Sequence, residues 1–94
     1  MLISLTGHGQ TAQEYFNRGL EKHRILDYIG AIANYTIAID LDGKFVNAYN
    51  NRGQSRVELH DYEGAIADYT KASYLGDDKS KDWLSDNKNL LIDY

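Results

Sequence analysis

The chain has 94 residues, 43% of them apolar and 26% charged, which is typical of one small soluble domain and short for a catalytic domain with its own pocket and lid. Its net charge of −4 and its lack of a Lys/Arg cluster argue against a nucleic-acid partner, because phosphate binding needs a concentrated basic face. The absence of cysteine removes disulfides and thiolate chemistry, and no apolar run is long enough to cross a bilayer.

Residues 1–10 are predicted to form an N-terminal tail. They include a few apolar residues but neither a basic leader nor the continuous apolar run of an export signal. Because the chain also has no cysteine, we expect a cytoplasmic location and no membrane partner.

The first predicted helix begins at a capping box, in which Thr11 accepts from the backbone three residues on and Glu14 reaches back to Thr11. Helical spacing gives it a packing face of Tyr15, Arg18, Gly19, Lys22 and Leu26. The opposite face holds Gln13, Phe16, Asn17, Leu20 and Arg24. A glycine inside a helix costs roughly 0.5–1 kcal/mol relative to alanine, so Gly19 predicts the close approach of another helix.

The second predicted helix has Asp27 as its N-cap. Its apolar stripe, at i, i+3, i+4 and i+7 spacing, consists of Tyr28, Ala31, Ile32, Tyr35, Ala38 and Ile39. The helix is predicted to end at Leu41-Asp42-Gly43, with Gly43 in the left-handed conformation that often follows a helix.

Residues 46–79 then repeat residues 12–45. Without gaps, 14 of the 34 aligned positions are identical. The third predicted helix covers roughly 46–59, with Tyr49, Arg52, Gly53, Arg56 and Leu59 on its packing face, and a fourth follows the turn at His60-Asp61 and stops at Gly76. A self-match of this length indicates a repeat architecture, in which one helical unit stacks on its copy.

The last predicted helix begins like a third repeat, since Trp83 lies 34 residues after Tyr49. Asp77 and Asp78 are predicted to form the linker before it, and its many polar residues suit an end cap for the stack. The predicted organisation is therefore a tail at 1–10, repeats at 11–45 and 46–79, and a C-terminal capping helix at 80–94.

Few residues suggest chemistry. Six of the eight tyrosines lie at repeat-equivalent packing positions, which favours a core role over the stacking of nucleic-acid bases. The three histidines lack the spacing of a zinc site, and neither a nucleophile elbow nor a phosphate-binding glycine loop is present. We therefore expect no enzymatic activity, no metal and no cofactor.

The period and the order of residue types resemble those of tetratricopeptide repeat (TPR) proteins. The residues that carry the resemblance are Tyr15, Gly19, Tyr28, Ala31, Tyr35, Ala38 and their counterparts Tyr49, Gly53, Tyr62, Ala65, Tyr69, Ala72. The family's proline near the end of the second helix is missing, and Arg18 and Arg52 stand where leucine is common. The resemblance implies an all-α, TPR-type right-handed helical solenoid with two helix-turn-helix repeats and a C-terminal capping helix.

By this resemblance, the first helices of successive repeats line a concave groove that binds a peptide or a partner's helix. The implied binding residues are Gln13, Phe16, Asn17, Leu20, Asn47, Asn50, Asn51, Gln54, Lys81 and Ser85. Further groove positions are Arg24, Glu58, Leu84 and Lys88. Amide side chains suit this role because they both donate to and accept from a peptide backbone. We thus expect a non-enzymatic protein-protein interaction module, an adaptor or scaffold, with a protein or peptide partner.

Other interpretations stay open. Some TPR proteins clamp the terminal carboxylate of chaperones, and Asn51 and Lys81 match that pattern, but Phe16, Leu20 and Ser85 depart from it, so a co-chaperone-like adaptor would have an incomplete clamp. An RNA-binding helical repeat is a remote alternative.

A structural role through self-assembly is the main alternative. A homodimer would bury apolar residues against a second copy, either near the C-terminus at Leu84, Leu91 and Ile92 or in the tail at Leu2, Ile3 and Leu5. Light scattering that finds a strict monomer at micromolar concentration would exclude this role.

Overall fold

The computed structural model describes residues 10–92, so residues 1–9 of the predicted tail at 1–10 lie outside the described residues. Six helices follow one another: α1 (Ala12–Arg24), α2 (Tyr28–Leu41), α3 (Val46–Glu58), α4 (Tyr62–Tyr74), α5 (Asp78–Asp86) and α6 (Lys88–Ile92). Each helix from α2 to α5 packs on the helix before it, and residues 10–92 contain no strand. The all-α prediction is confirmed. We call α1 with α2 the first hairpin and α3 with α4 the second hairpin.

The start of α1 has the predicted capping box. The backbone N–H of Glu14 donates to Thr11 Oγ1 at 3.1 Å, and the backbone N–H of Thr11 donates to Glu14 Oε1 at 2.8 Å. The carboxylates of Asp27 and Asp61 cap α2 and α4 in equivalent ways, each accepting from a glycine N–H three residues on. These local bonds fix where three of the helices begin.

The turn inside each hairpin is a Schellman motif. After α1, the N–H groups of Leu26 and Asp27 donate to carbonyls of the last helical turn at 2.9 and 2.8 Å. Leu26 sits in the left-handed position with φ 65°, and His60 occupies the same position after α3 with φ 62°. Because neither is glycine, both hairpin turns carry backbone strain.

The packing faces predicted for α1 and α3 are wrong at their last residues. Leu26 and Leu59 follow the ends of these helices and lie in the turns, with 69% and 43% of their surfaces exposed. Helical spacing places residues on a shared face only while they are inside the helix, and Leu26 and Leu59 lie beyond the helix ends. The apolar pattern alone does not mark that point.

The turn between the two hairpins also differs from prediction. Gly43 does not adopt the left-handed conformation, and Gly76 is the glycine in the described chain that does, with φ 103°. Instead, Asp42 takes an extended conformation after α2, and its carboxylate accepts from the N–H of Lys44 at 3.0 Å. A local carboxylate-amide bond therefore makes this turn.

The end of the chain departs from the single capping helix that the sequence predicts. Asp77 is the N-cap of α5 rather than part of a linker, and its carboxylate accepts from the N–H of Ser80 at 3.1 Å. The helix is interrupted at Asn87, whose side-chain amide and backbone N–H both donate to the carbonyl of Trp83, at 2.8 and 3.0 Å. The predicted cap is thus two short helices.

In each hairpin, a glycine on the first helix faces a tyrosine ring on the second helix. A Cβ atom added to Gly19 would lie 3.0 Å from Tyr35 Cζ and closer still to two other ring atoms, and one added to Gly53 would lie 3.1 Å from Tyr69 Cε2. Tyr35 is fully buried and Tyr69 is 3% exposed. The two helices of each hairpin approach closely because the glycine leaves room for the ring, as the sequence predicts.

A buried ion cluster joins the two hairpins. Asp68 in α4 is 2% exposed and accepts two hydrogen bonds from Arg52, at 2.7 and 3.0 Å, and one from Arg56 at 2.8 Å. Arg52 also donates to Thr36 Oγ1 in α2 at 3.0 Å. Removing one partner of such a buried cluster typically costs about 3–5 kcal/mol, because a charge is then left unpaired. The arginine at this packing position therefore binds a carboxylate where the TPR pattern has leucine.

None of the helices in residues 10–92 combines the length and the apolar character needed to span a membrane.

Substitution of the two packing glycines should destabilise the protein unequally. We expect Gly19→Ala to lower the free energy of unfolding by about 1–3 kcal/mol, because the new methyl group overlaps the Tyr35 ring. The energetic cost of this overlap exceeds the gain in helix propensity. Gly53→Ala should cost less, since its methyl group meets Tyr69 only at 3.1 Å. Urea denaturation measures both, and equal losses would contradict the contact geometry.

Relief of the left-handed strain should stabilise the first hairpin. Leu26→Gly is expected to raise the free energy of unfolding by about 0.5–1 kcal/mol, because glycine adopts a positive φ without steric cost. The control is Ile25→Gly, next in the chain, which is equally exposed at 68% but has φ −94°. Ile25→Gly should lower the free energy of unfolding by a similar amount, because glycine at this position relieves no strain and only makes the unfolded chain more flexible. The same sign for both variants in urea denaturation would refute this account.

Candidate functional site

The helices α1, α3 and α5 share one surface, which we call the odd-helix surface. His23 Nδ1 of α1 lies 3.2 Å from Ser55 Oγ of α3. Asn50 Nδ2 of α3 donates to Ser80 Oγ of α5 at 2.9 Å and to Asp77 Oδ2, just before α5, at 2.8 Å. Side-chain bonds thus link the first helix of each hairpin to the first helix of the next unit.

The predicted binding residues on this surface divide into exposed and structural ones. The exposed residues are Gln13, Asn17, Leu20, Asn47, Gln54, Lys81 and Ser85. Two pairs of amides bond along their own helices, Gln13 to Asn17 at 3.0 Å and Gln54 to Asn50 at 3.4 Å. These exposed amides keep free donor and acceptor positions, because each side-chain amide can make up to four hydrogen bonds.

Phe16 is not available to a ligand, in contrast to its predicted role. It is 8% exposed, and its ring lies 4.9 Å from the ring of Phe45 and 5.7 Å from that of Tyr35. A helix with neighbours on two sides buries two faces, whereas the helical spacing of α1 predicts a single packing face. Phe16 therefore belongs to the core between the hairpins.

Asn50 and Asn51 are partly buried, and Asn50 has a structural role. Its amide holds Asp77 and Ser80, so it joins α3 to the start of α5. Asn51 lies beside the Tyr35 hydroxyl, which is buried without a hydrogen bond of normal geometry to any described residue. Burial raises the pKa of Tyr35, and the nearby Asn51 amide lowers it by a smaller amount.

A cavity of about 270 Å³ opens on the odd-helix surface, and we call it the aromatic cavity. Its described lining residues are His23, Gln54, Val57, Glu58, Tyr69 and Trp83. The Tyr69 and Trp83 rings stack with centroids 4.2 Å apart and planes 23° apart. Gln54 and Glu58 are predicted groove positions, whereas the sequence places Tyr69 and Trp83 in the packing core and does not single out His23 or Val57. Gln54, Val57 and Glu58 lie at i, i+3 and i+4 along α3. This spacing is the signal that could have added Val57 to the predicted groove residues.

Carboxylates shape the electrostatics around this cavity. Burial, followed by the negative charges of Asp68 and Asp77, raises the pKa of Tyr69 to about 12. Burial also raises the pKa of Asp77, but hydrogen bonds from Ser80 and Asn50 outweigh it and leave this pKa below its ordinary value. Glu58 forms no ion pair with any described residue. The described lining of the cavity contains one carboxylate, that of Glu58, and no lysine or arginine.

A wider depression of about 460 Å³ lies on α4, away from the predicted residues. Its described lining is Ala67, Thr70, Lys71 and Tyr74, and Tyr74 is 88% exposed. All four residues lie on one stripe of a single helix. Among the described lining residues, polar groups from different helices do not converge, so this depression is a weaker candidate than the aromatic cavity.

Within residues 10–92, no group of three His, Asp or Glu side chains is arranged to hold a metal ion. A scan against protein-family models finds no match to the chain, and a search of the curated proteins finds no similar sequence. The odd-helix surface is therefore interpreted from its own residues.

Removal of the unpaired hydroxyl beneath this surface should stabilise the protein. We expect Tyr35→Phe to raise the free energy of unfolding by about 1 kcal/mol, because a buried hydroxyl without a partner costs its desolvation energy. Tyr49→Phe is the matched control, since the Tyr49 hydroxyl donates to the carbonyl of Gly43 at 3.0 Å. Tyr49→Phe should lower the free energy of unfolding by about 1 kcal/mol, as measured by thermal or urea denaturation, because it removes this hydrogen bond. A loss in both variants would mean that the Tyr35 hydroxyl is well bonded.

Proposed function

We propose that the protein is a TPR-like interaction module that binds an extended peptide segment of a partner protein along the odd-helix surface. Three features support the TPR-like assignment: the 34-residue period, the repeated glycine-tyrosine contact and the two equivalent Schellman turns. In this proposal the concave groove of a TPR-type solenoid is formed by α1, α3 and α5.

The observation that carries the proposal is the run of exposed amides beside a cavity. Gln13, Asn17, Asn47 and Gln54 lie on α1 and α3, and Gln54 also lines the aromatic cavity. An extended peptide has unpaired N–H and C=O groups along its length, and amide side chains satisfy both kinds. The cavity adds a place for one side chain of the peptide, so the surface offers backbone and side-chain recognition together.

The proposal excludes two of the predicted residues from direct contact with a ligand. Phe16 is buried, and Asn50 is engaged by Asp77 and Ser80. Substitution of either would disturb the fold, so a loss of binding in those variants would say nothing about the surface. Exposed positions are needed for a clean test.

The test uses peptides selected from a random displayed library on the purified protein. Chemical-shift mapping of a selected peptide on ¹⁵N-labelled protein should perturb α1, α3 and α5. We expect the double variant Asn47→Ala, Gln54→Ala to weaken binding about tenfold, as the loss of two hydrogen-bonding amides would predict. Calorimetry measures the affinity.

The matched control is Thr70→Ala with Lys71→Ala, which removes two exposed polar side chains from the depression on α4. This variant should bind the peptide with unchanged affinity. Shifts confined to α4, or a loss of binding in the control but not in the Asn47 and Gln54 variant, would overturn the proposal.

A further inference from the structure

The aromatic cavity has a size that suits one side chain. Its volume of about 270 Å³ is just below the roughly 300–1,000 Å³ that is typical of sites for whole small molecules. Four helices contribute to it: His23 comes from α1, Gln54 and Glu58 from α3, Tyr69 from α4 and Trp83 from α5. A site assembled from several helices brings polar and aromatic groups together, which the described lining of the depression on α4 does not do.

The chemistry of the lining favours a cation. Trp83 supplies partly exposed aromatic surface, with the buried Tyr69 ring stacked behind it, and tryptophan is the ring to which cations bind best. Glu58 supplies a carboxylate, and the Gln54 carbonyl can accept a further hydrogen bond. These are the groups that bind the planar, weakly hydrated guanidinium of arginine, which both stacks on rings and pairs with carboxylates.

The balance of charge around the cavity supports this choice. The two arginines of α3 that pack toward α4 are already engaged, because Arg52 bonds Asp68 and Arg56 bonds both Asp68 and Asp61. Glu58 has no ionic partner among the described residues. In the first hairpin the equivalent position is Arg24, which pairs with Glu21. At this position the first hairpin therefore has a cation, and the second has a carboxylate without an ionic partner among the described residues.

We propose that the aromatic cavity binds an arginine side chain of the peptide partner, with its guanidinium against Trp83 and paired with Glu58. This inference rests on the proposed function and names the partner's chemistry: a basic peptide, complementary to a chain of net charge −4. An apolar side chain would bury the carboxylate of Glu58 without a partner, and an acidic one would be repelled by it.

The test uses three synthetic alanine-serine peptides that differ only at the centre, where they carry arginine, citrulline or norleucine. Citrulline keeps the shape of arginine without its charge, and norleucine is apolar. Trp83 is the only tryptophan in the chain, so its fluorescence reports directly on the cavity. We expect the arginine peptide to bind about threefold or more tightly than the citrulline peptide, as a partly exposed cation site would predict.

The decisive variant is Glu58→Gln, with Glu63→Gln as its control. Both replace an exposed glutamate by its neutral isostere and change the net charge equally, but Glu63 lies in the first turn of α4 and outside the cavity lining. We expect the preference for arginine over citrulline to disappear in Glu58→Gln and to remain in Glu63→Gln. Equal losses in the two variants would show attraction by net charge alone and overturn the proposal.

The remaining outcomes separate this inference from the proposed function. Tightest binding by norleucine, equal binding of all three peptides, or no binding of the arginine peptide at millimolar concentration would refute the arginine site. Library-selected peptides that still require Asn47 and Gln54 would leave the interaction surface standing in each of those cases. Selected peptides that map to α4 would refute the surface itself.

Discussion

The structure depends on the contact between a helical glycine and a buried tyrosine, which occurs once in each hairpin. Gly19 faces Tyr35 and Gly53 faces Tyr69, in both cases 16 residues later in the chain. Any side chain at the glycine would enter the space of the ring, so the contact sets how closely the two helices approach. In the second hairpin the same tyrosine supports Trp83, with the rings 4.2 Å apart. The packing contact thereby also forms the aromatic part of the cavity.

The two hairpins differ in the charged side chains that lie between their helices. Asp68 in the second hairpin corresponds to Asn34 in the first. Asp68 gathers two arginines in the core, whereas Asn34 bonds only to the carbonyl of Gly30, and Arg18 remains exposed beside the Tyr15 ring. One carboxylate in place of an amide therefore holds Arg52 and Arg56 against α4.

The repeat made most of the fold predictable, but the site less so. Internal identity and helical spacing give the helices, their caps at Asp27 and Asp61 and the glycine notches, because these depend on local bonds and on one shared packing mode. Phe16 and the capping segment after Asp77 could not be predicted in the same way. Phe16 is buried by a contact with Phe45, the N-cap of α3, and Asn87 at the end of α5 bonds through its side chain to the carbonyl of Trp83. Phe16 aligns with Asn50 and Asn87 with Gly53, so the repeat does not share the side chains that make these contacts.

Two neighbouring amide side chains on α3 have different roles, and only one of them is occupied by bonds between helices. Asn50 uses its side chain to hold Asp77 and Ser80, and so fixes α5 against α3. One turn along α3, Gln54 makes only a long bond of 3.4 Å back to Asn50 and borders the cavity. Residues of the same chemical type therefore stabilise the stack at one turn and stay free for recognition at the next. The bonds that fix α5 against α3 thus lie next to the exposed amides, and this preorganisation would lower the conformational entropy lost in the proposed binding of a peptide.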